Sequence, residues 1–229
     1  MRMITAEDGS KIYYNMYGEG KTIVLLHGNF QHHRFFAKQI NFFSQYYRVI
    51  AMDTRDQGRS TNEAAQLTYE LIVQDIAQIL QQEKIERCAI VGFSDGANIA
   101  LAYACAFPKS VPKLVLCSGN LTFDGLLKSK QRSLKVLDFT CERIFRWNRG
   151  HRILQLAMLP VPVTPEAVRA LVDTEAFVVV GEQDIIKQEH TNQLVRMLPN
   201  VRYHTMLNRG HTIRTVDAEM IVKFLEGSV

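Results

Sequence analysis

Short, continuous apolar runs alternate along this chain with longer stretches whose apolar positions recur at helical spacing. The runs fall at residues 22–26, 48–52, 88–91, 113–117 and 176–180. Runs of this length with no polar alternation predict strands buried on both faces. Residues 11–17 are rich in β-formers and stop at Gly18-Glu19-Gly20, which predicts a strand closed by a turn. Residues 201–206 predict one more strand. Helical periodicity appears over 33–46 and over 70–82, where Thr68 is placed to cap. It recurs after residue 96, over 190–197 and over 217–225. Alternating buried strands and amphipathic helices predict an α/β fold, a mostly parallel central sheet with helices on both faces.

Residues 119–174 break the rhythm. They are helix-like, with Pro160, Pro162 and Pro165 near the end, and they are too long for a plain loop. The expected organisation is a core of residues 1–118 and 175–229 interrupted by a small helical cap insertion at 119–174.

Composition narrows the classes. The chain has 229 residues, 47% hydrophobic and 22% charged, which fits one globular domain with a substantial core. A net charge of +4 is too modest for a nucleic-acid binder. No apolar run approaches the roughly 20 residues of a membrane helix, and no secretory signal core is evident. Cys88, Cys105, Cys117 and Cys141 lack metal-site or C-x-x-C spacing. They are expected to be buried thiols in a reducing, cytoplasmic compartment. Neither a metal nor a cofactor is expected.

The candidate chemistry centres on Gly92-Phe93-Ser94-Asp95-Gly96. The pentapeptide lies between a strand and a helix of small apolar residues, the context of a nucleophile elbow with Ser94 at its apex. The match alone is weak, but downstream partners exist. A serine hydroxyl needs a general base, and the base needs a carboxylate to orient it. Asp184 follows the strand at 176–180, and His211 follows the strand at 201–206. Glu182 and Asp124 are the competing carboxylates.

Four ordered motifs then carry a family resemblance: His27-Gly28-Asn29, the Asp53 to Ser60 segment, the elbow, and Asp184 with Gly210-His211. Over essentially its whole length the chain resembles the α/β-hydrolase fold superfamily, and within it the small capped serine esterases. The resemblance implies Ser94 as nucleophile, His211 as general base and then acid, and Asp184 as orienting carboxylate. It implies an oxyanion hole from the backbone N–H groups of Asn29 and Asp95. The expected activity is hydrolysis of small or medium carboxylic esters through an acyl-enzyme. The alternatives are the same triad on another bond (a C–C hydrolase, lactonase, amidase or peptidase, or acyltransferase) and a ligand-binding or signalling module on a hydrolase scaffold. The expected partner is a small acyl substrate, with oligomeric state open.

Phe30, His32, His33 and Trp147 are the candidates for pocket lining, and His27 for bracing the oxyanion loop. Two departures from the family stand out. Asp56 replaces a flexible glycine, and Asp95 puts a carboxylate beside the nucleophile, where it is expected to turn into hydrogen bonds or solvent. From 120 to 159 there are eight Lys and Arg against three Asp and Glu. This basic bias reads either as a solvated helix face or as an attractant for anionic substrates or an acidic partner.

Overall fold

The computed structural model describes residues 1–227 and builds one sheet from eight strands. They are β1 (Arg2–Thr5), β2 (Lys11–Tyr17), β3 (Thr22–Leu26), β4 (Arg48–Met52), β5 (Ala89–Phe93), β6 (Lys113–Cys117), β7 (Glu175–Gly181) and β8 (Val201–Met206). Their spatial order is β1-β2-β4-β3-β5-β6-β7-β8. The first two strands are antiparallel to their neighbours, and every pairing from β4 to β8 is parallel. This is the mostly parallel sheet that the apolar runs predict. β1 was not predicted: only Ile4 of its four residues is buried, so it leaves no periodic trace.

The described residues form eight helices: α1 (Ala37–Phe43), α2 (Tyr69–Gln82), α3 (Asp95–Ala106), α4 (Lys128–Phe139), α5 (Asn148–Met158), α6 (Pro165–Arg169), α7 (Gln188–Met197) and α8 (Thr215–Glu226). The helix expected over 33–46 is instead a 3-10 turn, His33–Phe36, that runs into α1. Thr68 caps α2, accepting from the Leu71 N–H.

Successive strand residues point to opposite faces, so each buried run feeds two cores. Ile23, Leu25, Val91 and Phe93 pack on one face under Ile40 of α1 and Ile221 of α8. Val24, Leu26, Ile90 and Leu116 pack on the other with Ile76 of α2 and Ile99 of α3. α3 is buried from Asp95 to Ala104. Its small residues let it lie close against the sheet. A Cβ on Gly96 would run into the Leu26 carbonyl, and one on Gly92 into the backbone of Gly96. Both glycines of the elbow are therefore required by close approach.

Between β6 and β7 the chain leaves the sheet for α4, α5 and α6. The two halves of this insertion differ. Ile153 and Leu156 of α5 and Val168 of α6 join the main core. α4 buries none of its residues, and a π-turn at Thr140–Ile144 links it toward α5.

The segment after β4 anchors the insertion. Asp53 accepts from the backbone N–H groups of His33 (2.8 Å) and Arg59 (2.9 Å), and buried Arg55 pairs in two-pronged fashion with Asp75 at 2.7 and 2.8 Å. Asp56 adopts φ 60°, the left-handed conformation that a glycine would supply. The turn therefore keeps its glycine-like geometry despite the side chain. The Asp56 carboxylate is 4% exposed and is gripped by Arg152 of α5. Arg149 donates to the carbonyl groups of Asp56 and Gly58.

Candidate active site

The six parallel strands, β3 to β8, send their following loops to the same edge of the sheet, where open α/β sheets place their sites. Each contributes one piece. β5 ends at Phe93, and Ser94 turns the chain into α3 with φ 55° and ψ −123°. This backbone region is nearly confined to glycine, so Ser94 is held under strain. The Ser94 N–H donates to the Cys117 carbonyl at 2.9 Å, and its own carbonyl accepts from Ala97 at 2.8 Å. These bonds pin the turn and leave the hydroxyl free to face the loop after β8.

His211 comes from that loop. Its Nε2 lies 2.9 Å from Ser94 Oγ, and its Nδ1 lies 2.7 Å from Asp184 Oδ1. With Nδ1 donating to the carboxylate, Nε2 is left as an acceptor for the serine proton. Asp184, after β7, is buried and receives further bonds. Ser118 Oγ donates to Oδ2 at 2.6 Å, and the Ile186 N–H donates to Oδ1 at 3.1 Å. Burial pushes the Asp184 pKa up, but the His211 contact and these donors outweigh it and hold it below the usual carboxylate value. Ser118 follows β6, and sequence reasoning missed it. Its only signal was its position at the end of a central strand.

The loop after β3 forms the other wall. His27 is buried, with Nδ1 donating to the Gly28 carbonyl (2.8 Å) and Nε2 accepting from the Thr54 N–H (3.1 Å). Burial lowers its pKa to about 4, so it is a neutral brace. Gln31 accepts from the Gly28 N–H at 2.9 Å, and Gln57 accepts from the Gln31 N–H at 3.2 Å. Neither glutamine was singled out from sequence. The backbone N–H groups of Asn29 and Asp95 donate to no acceptor among the described residues. Both residues line the same cavity as Ser94 and His211, a space of about 200 Å³.

Asp95 does not turn to solvent. Its carboxyl is buried beside the Asn29 amide, and burial raises its pKa to about 6, with the Asn29 amide and His211 acting in the opposite sense. The Asn29 side chain lies beside it, yet neither Nδ2 nor Oδ1 of Asn29 is within hydrogen-bonding geometry of a partner.

The pocket-lining candidates separate. Phe30 lines the cavity, together with Leu134 and Leu137 of α4. Trp147 stands behind Phe30, with ring centroids 5.7 Å apart and planes 25° from parallel. His32 and His33 lie outside the cavity wall. His32 is exposed and accepts weakly from Arg34, while buried His33 bonds Asp53 at 2.7 Å. With Asp53 these two histidines could present three ligand atoms within 4.8 Å of one another. The Asp53 carboxylate is already engaged by His33 and Arg59, so the cluster serves the loop. Glu182 accepts from the Asn208 N–H, and Asp124 sits exposed on a 3-10 turn, so neither competes for His211.

Comparison with known proteins identifies the fold. The profile of the alpha/beta hydrolase fold family matches residues 21–156. Epoxide hydrolase 4 of Mus musculus is 32% identical over 114 residues, which cover 48% of this chain and 32% of that protein. The chain thus spans about a third of that relative's length. The serine hydrolase BPHL of Homo sapiens is 24% identical over an alignment of 248 positions, covering 96% of this chain and 84% of that protein. Among solved structures, a thermophilic esterase from Thermogutta terrifontis superposes with a TM-score of 0.83 at 18% identity, covering 100% of this chain and 99% of the other.

Proposed function

The chain belongs to the alpha/beta hydrolase fold family, and from that premise we propose that it is a serine hydrolase of carboxylic esters with small or medium acyl groups. The continuous relay from Ser94 through His211 to Asp184, with contacts of 2.9 and 2.7 Å, carries this reading. Ser94 Oγ attacks the acyl carbon while His211 Nε2 takes its proton. Asp184 holds the ring in the required tautomer and balances the charge of the imidazolium. The tetrahedral oxyanion is received by the N–H groups of Asn29 and Asp95, each such donor contributing about 2.7–4 kcal/mol to the transition state. His211 then protonates the departing alcohol, which leaves an acyl-Ser94 ester. A water activated by the same ring releases the acid.

The cavity supports short acyl chains. At about 200 Å³ it lies below the roughly 300–1,000 Å³ of sites for drug-sized ligands. Residues 119–174 act as its cap, supplying Leu134 and Leu137 opposite the elbow. The four free cysteines suit a reducing, cytoplasmic setting. The test is turnover of p-nitrophenyl esters of graded chain length together with labelling by a serine-reactive phosphonate. Wild-type protein should hydrolyse the short esters and be labelled, and Ser94→Ala should lose both. Labelling of Ser94→Ala at the wild-type rate would overturn the assignment.

A further inference from the structure

The outward face of the insertion has no partner within the chain. α4 turns only Lys130, Gln131, Leu134 and Asp138 partly toward the molecule, and its other positions are exposed. Val136, Phe139, Ile144 and Phe145 are 65, 58, 64 and 70% exposed, and Trp147 is 46% exposed. Single exposed apolar residues are ordinary on a soluble protein, but this many within one short segment are not. The π-turn at Thr140–Ile144 directs the chain between the two helices, burying Cys141 while leaving Ile144 and Phe145 out. The surface continues to the cavity, because Trp147 stacks on Phe30 and both Phe30 and Leu137 line it.

The charge around this apolar surface has one sign. Residues 128–147 carry six Lys and Arg against Asp138 and Glu142. Both acids are engaged, Asp138 by His151 and Gln155 at 2.7 Å and Glu142 by Arg143 at 3.2 Å. Lys128, Arg132, Lys135 and Arg146 form no ion pair among the described residues. The remaining arginines of the insertion's α5, Arg149 and Arg152, are spent on the Asp56 turn. A second copy of this chain would bring the same cationic face against this one. An anionic lipid surface matches both properties, taking aromatic and aliphatic side chains into the interface and pairing the cations with head groups.

We propose that this face of the insertion docks the protein peripherally on anionic membranes, with the mouth of the cavity at the lipid boundary. The lone tryptophan of the chain lies in the docking face and reports on it directly.

The experiment adds vesicles of phosphatidylcholine, with or without roughly one third phosphatidylglycerol, to the purified full chain. Co-sedimentation and Trp147 emission are followed. Anionic vesicles should sediment the protein and shift the emission to the blue, and phosphatidylcholine alone should do neither. Raising the salt to roughly 0.5 M should weaken binding tenfold or more. The double variant Ile144→Ser, Phe145→Ser should keep the wild-type melting temperature, because both residues are exposed, and should lose vesicle binding tenfold or more. Ser94→Ala should bind like the wild type, so the outcome is independent of the esterase reading. Failure to bind anionic vesicles, or undiminished binding by the double variant, would overturn the proposal. So would concentration-dependent dimerisation through this face in the absence of lipid.

Discussion

Asp56 and Arg152 join two parts of the chain that lie 96 residues apart, with both guanidinium contacts short, at 2.7 and 2.8 Å. The carboxylate is buried at a turn of the sheet layer, and the arginine projects from α5. This pair and the neighbouring Arg149 contacts fasten the insertion beside the loop that carries Asn29 and Phe30.

Breaking that pair should loosen the insertion. Asp56→Asn keeps a side chain that tolerates positive φ but removes the charge opposite Arg152. It should lower unfolding stability by about 1–3 kcal/mol, the range for leaving a charged group without its hydrogen-bond partner. A double-mutant cycle with Arg152→Gln, read by urea denaturation, should give a coupling of about 0.5–3 kcal/mol. Strict additivity would show that the two residues do not support each other.

Ser118→Ala should impair the relay without touching the reacting atoms. Ser118 donates to Asp184 Oδ2 at 2.6 Å. Without it the carboxylate loses one donor, its pKa rises and its grip on His211 relaxes. A loss of about tenfold in kcat/KM on a short p-nitrophenyl ester corresponds to ~1.4 kcal/mol. Unchanged kinetics would remove Ser118 from the positioning of Asp184.

His27 should make stability sensitive to mild acid. Its pKa falls from 6.5 in the unfolded chain to about 4 in the fold, because burial disfavours the charged ring. Between those values the unfolded state binds the extra proton, so stability rises with pH and drains away as pH falls from about 6.5 toward 4. Asp75 and Asp95, both raised to about 6 by burial, act in the opposite direction over part of this window. The difference between wild type and His27→Gln isolates the histidine. Wild-type protein should be the more stable at pH 7, and the gap should shrink by on the order of 3 kcal/mol toward pH 4. A gap that stays constant in pH-dependent urea melts would contradict a neutral, buried His27.

Asp95 should restrain the reaction once it ionises. With a pKa of about 6, the buried carboxylate carries a negative charge above that pH, within electrostatic reach of His211. Asp95→Asn keeps the backbone N–H and removes the charge. The ratio of variant to wild-type kcat/KM should therefore climb a few-fold between pH 5 and 8, roughly as fast as Asp95 titrates. A flat ratio across that range would mean that the carboxylate does not act on the transition state.

Much of this arrangement was legible in the sequence because it depends on local signals. Continuous apolar runs marked the central strands, since a strand covered on both faces needs no alternation. Asp184 and His211 stood out because each lies in a loop after an expected strand. Long-range polar contacts left no trace of that kind. Ser118 is one serine among many until the sheet sets it beside Asp184. Asp56 was visible as a departure from a glycine, but its partner lies in an insertion whose packing no periodicity encodes. His32 and His33 show the limit from the other side. They are adjacent on a tight 3-10 turn, so one faces solvent and the other turns to Asp53, and neither reaches the cavity.

The position of His211 has a consequence for the newborn chain. Ser94 and His211 are separated by 117 residues, and the loop bearing the histidine leaves β8, the last strand among the described residues and one edge of the sheet. During synthesis, the elbow and the strands that precede it leave the ribosome long before the base exists. On the proposed mechanism, a chain that lacks this loop carries an unactivated serine. Chemical competence then arrives only once β8 and the loop after it are in place, so reactivity toward a phosphonate probe reads out the folding of that part of the sheet.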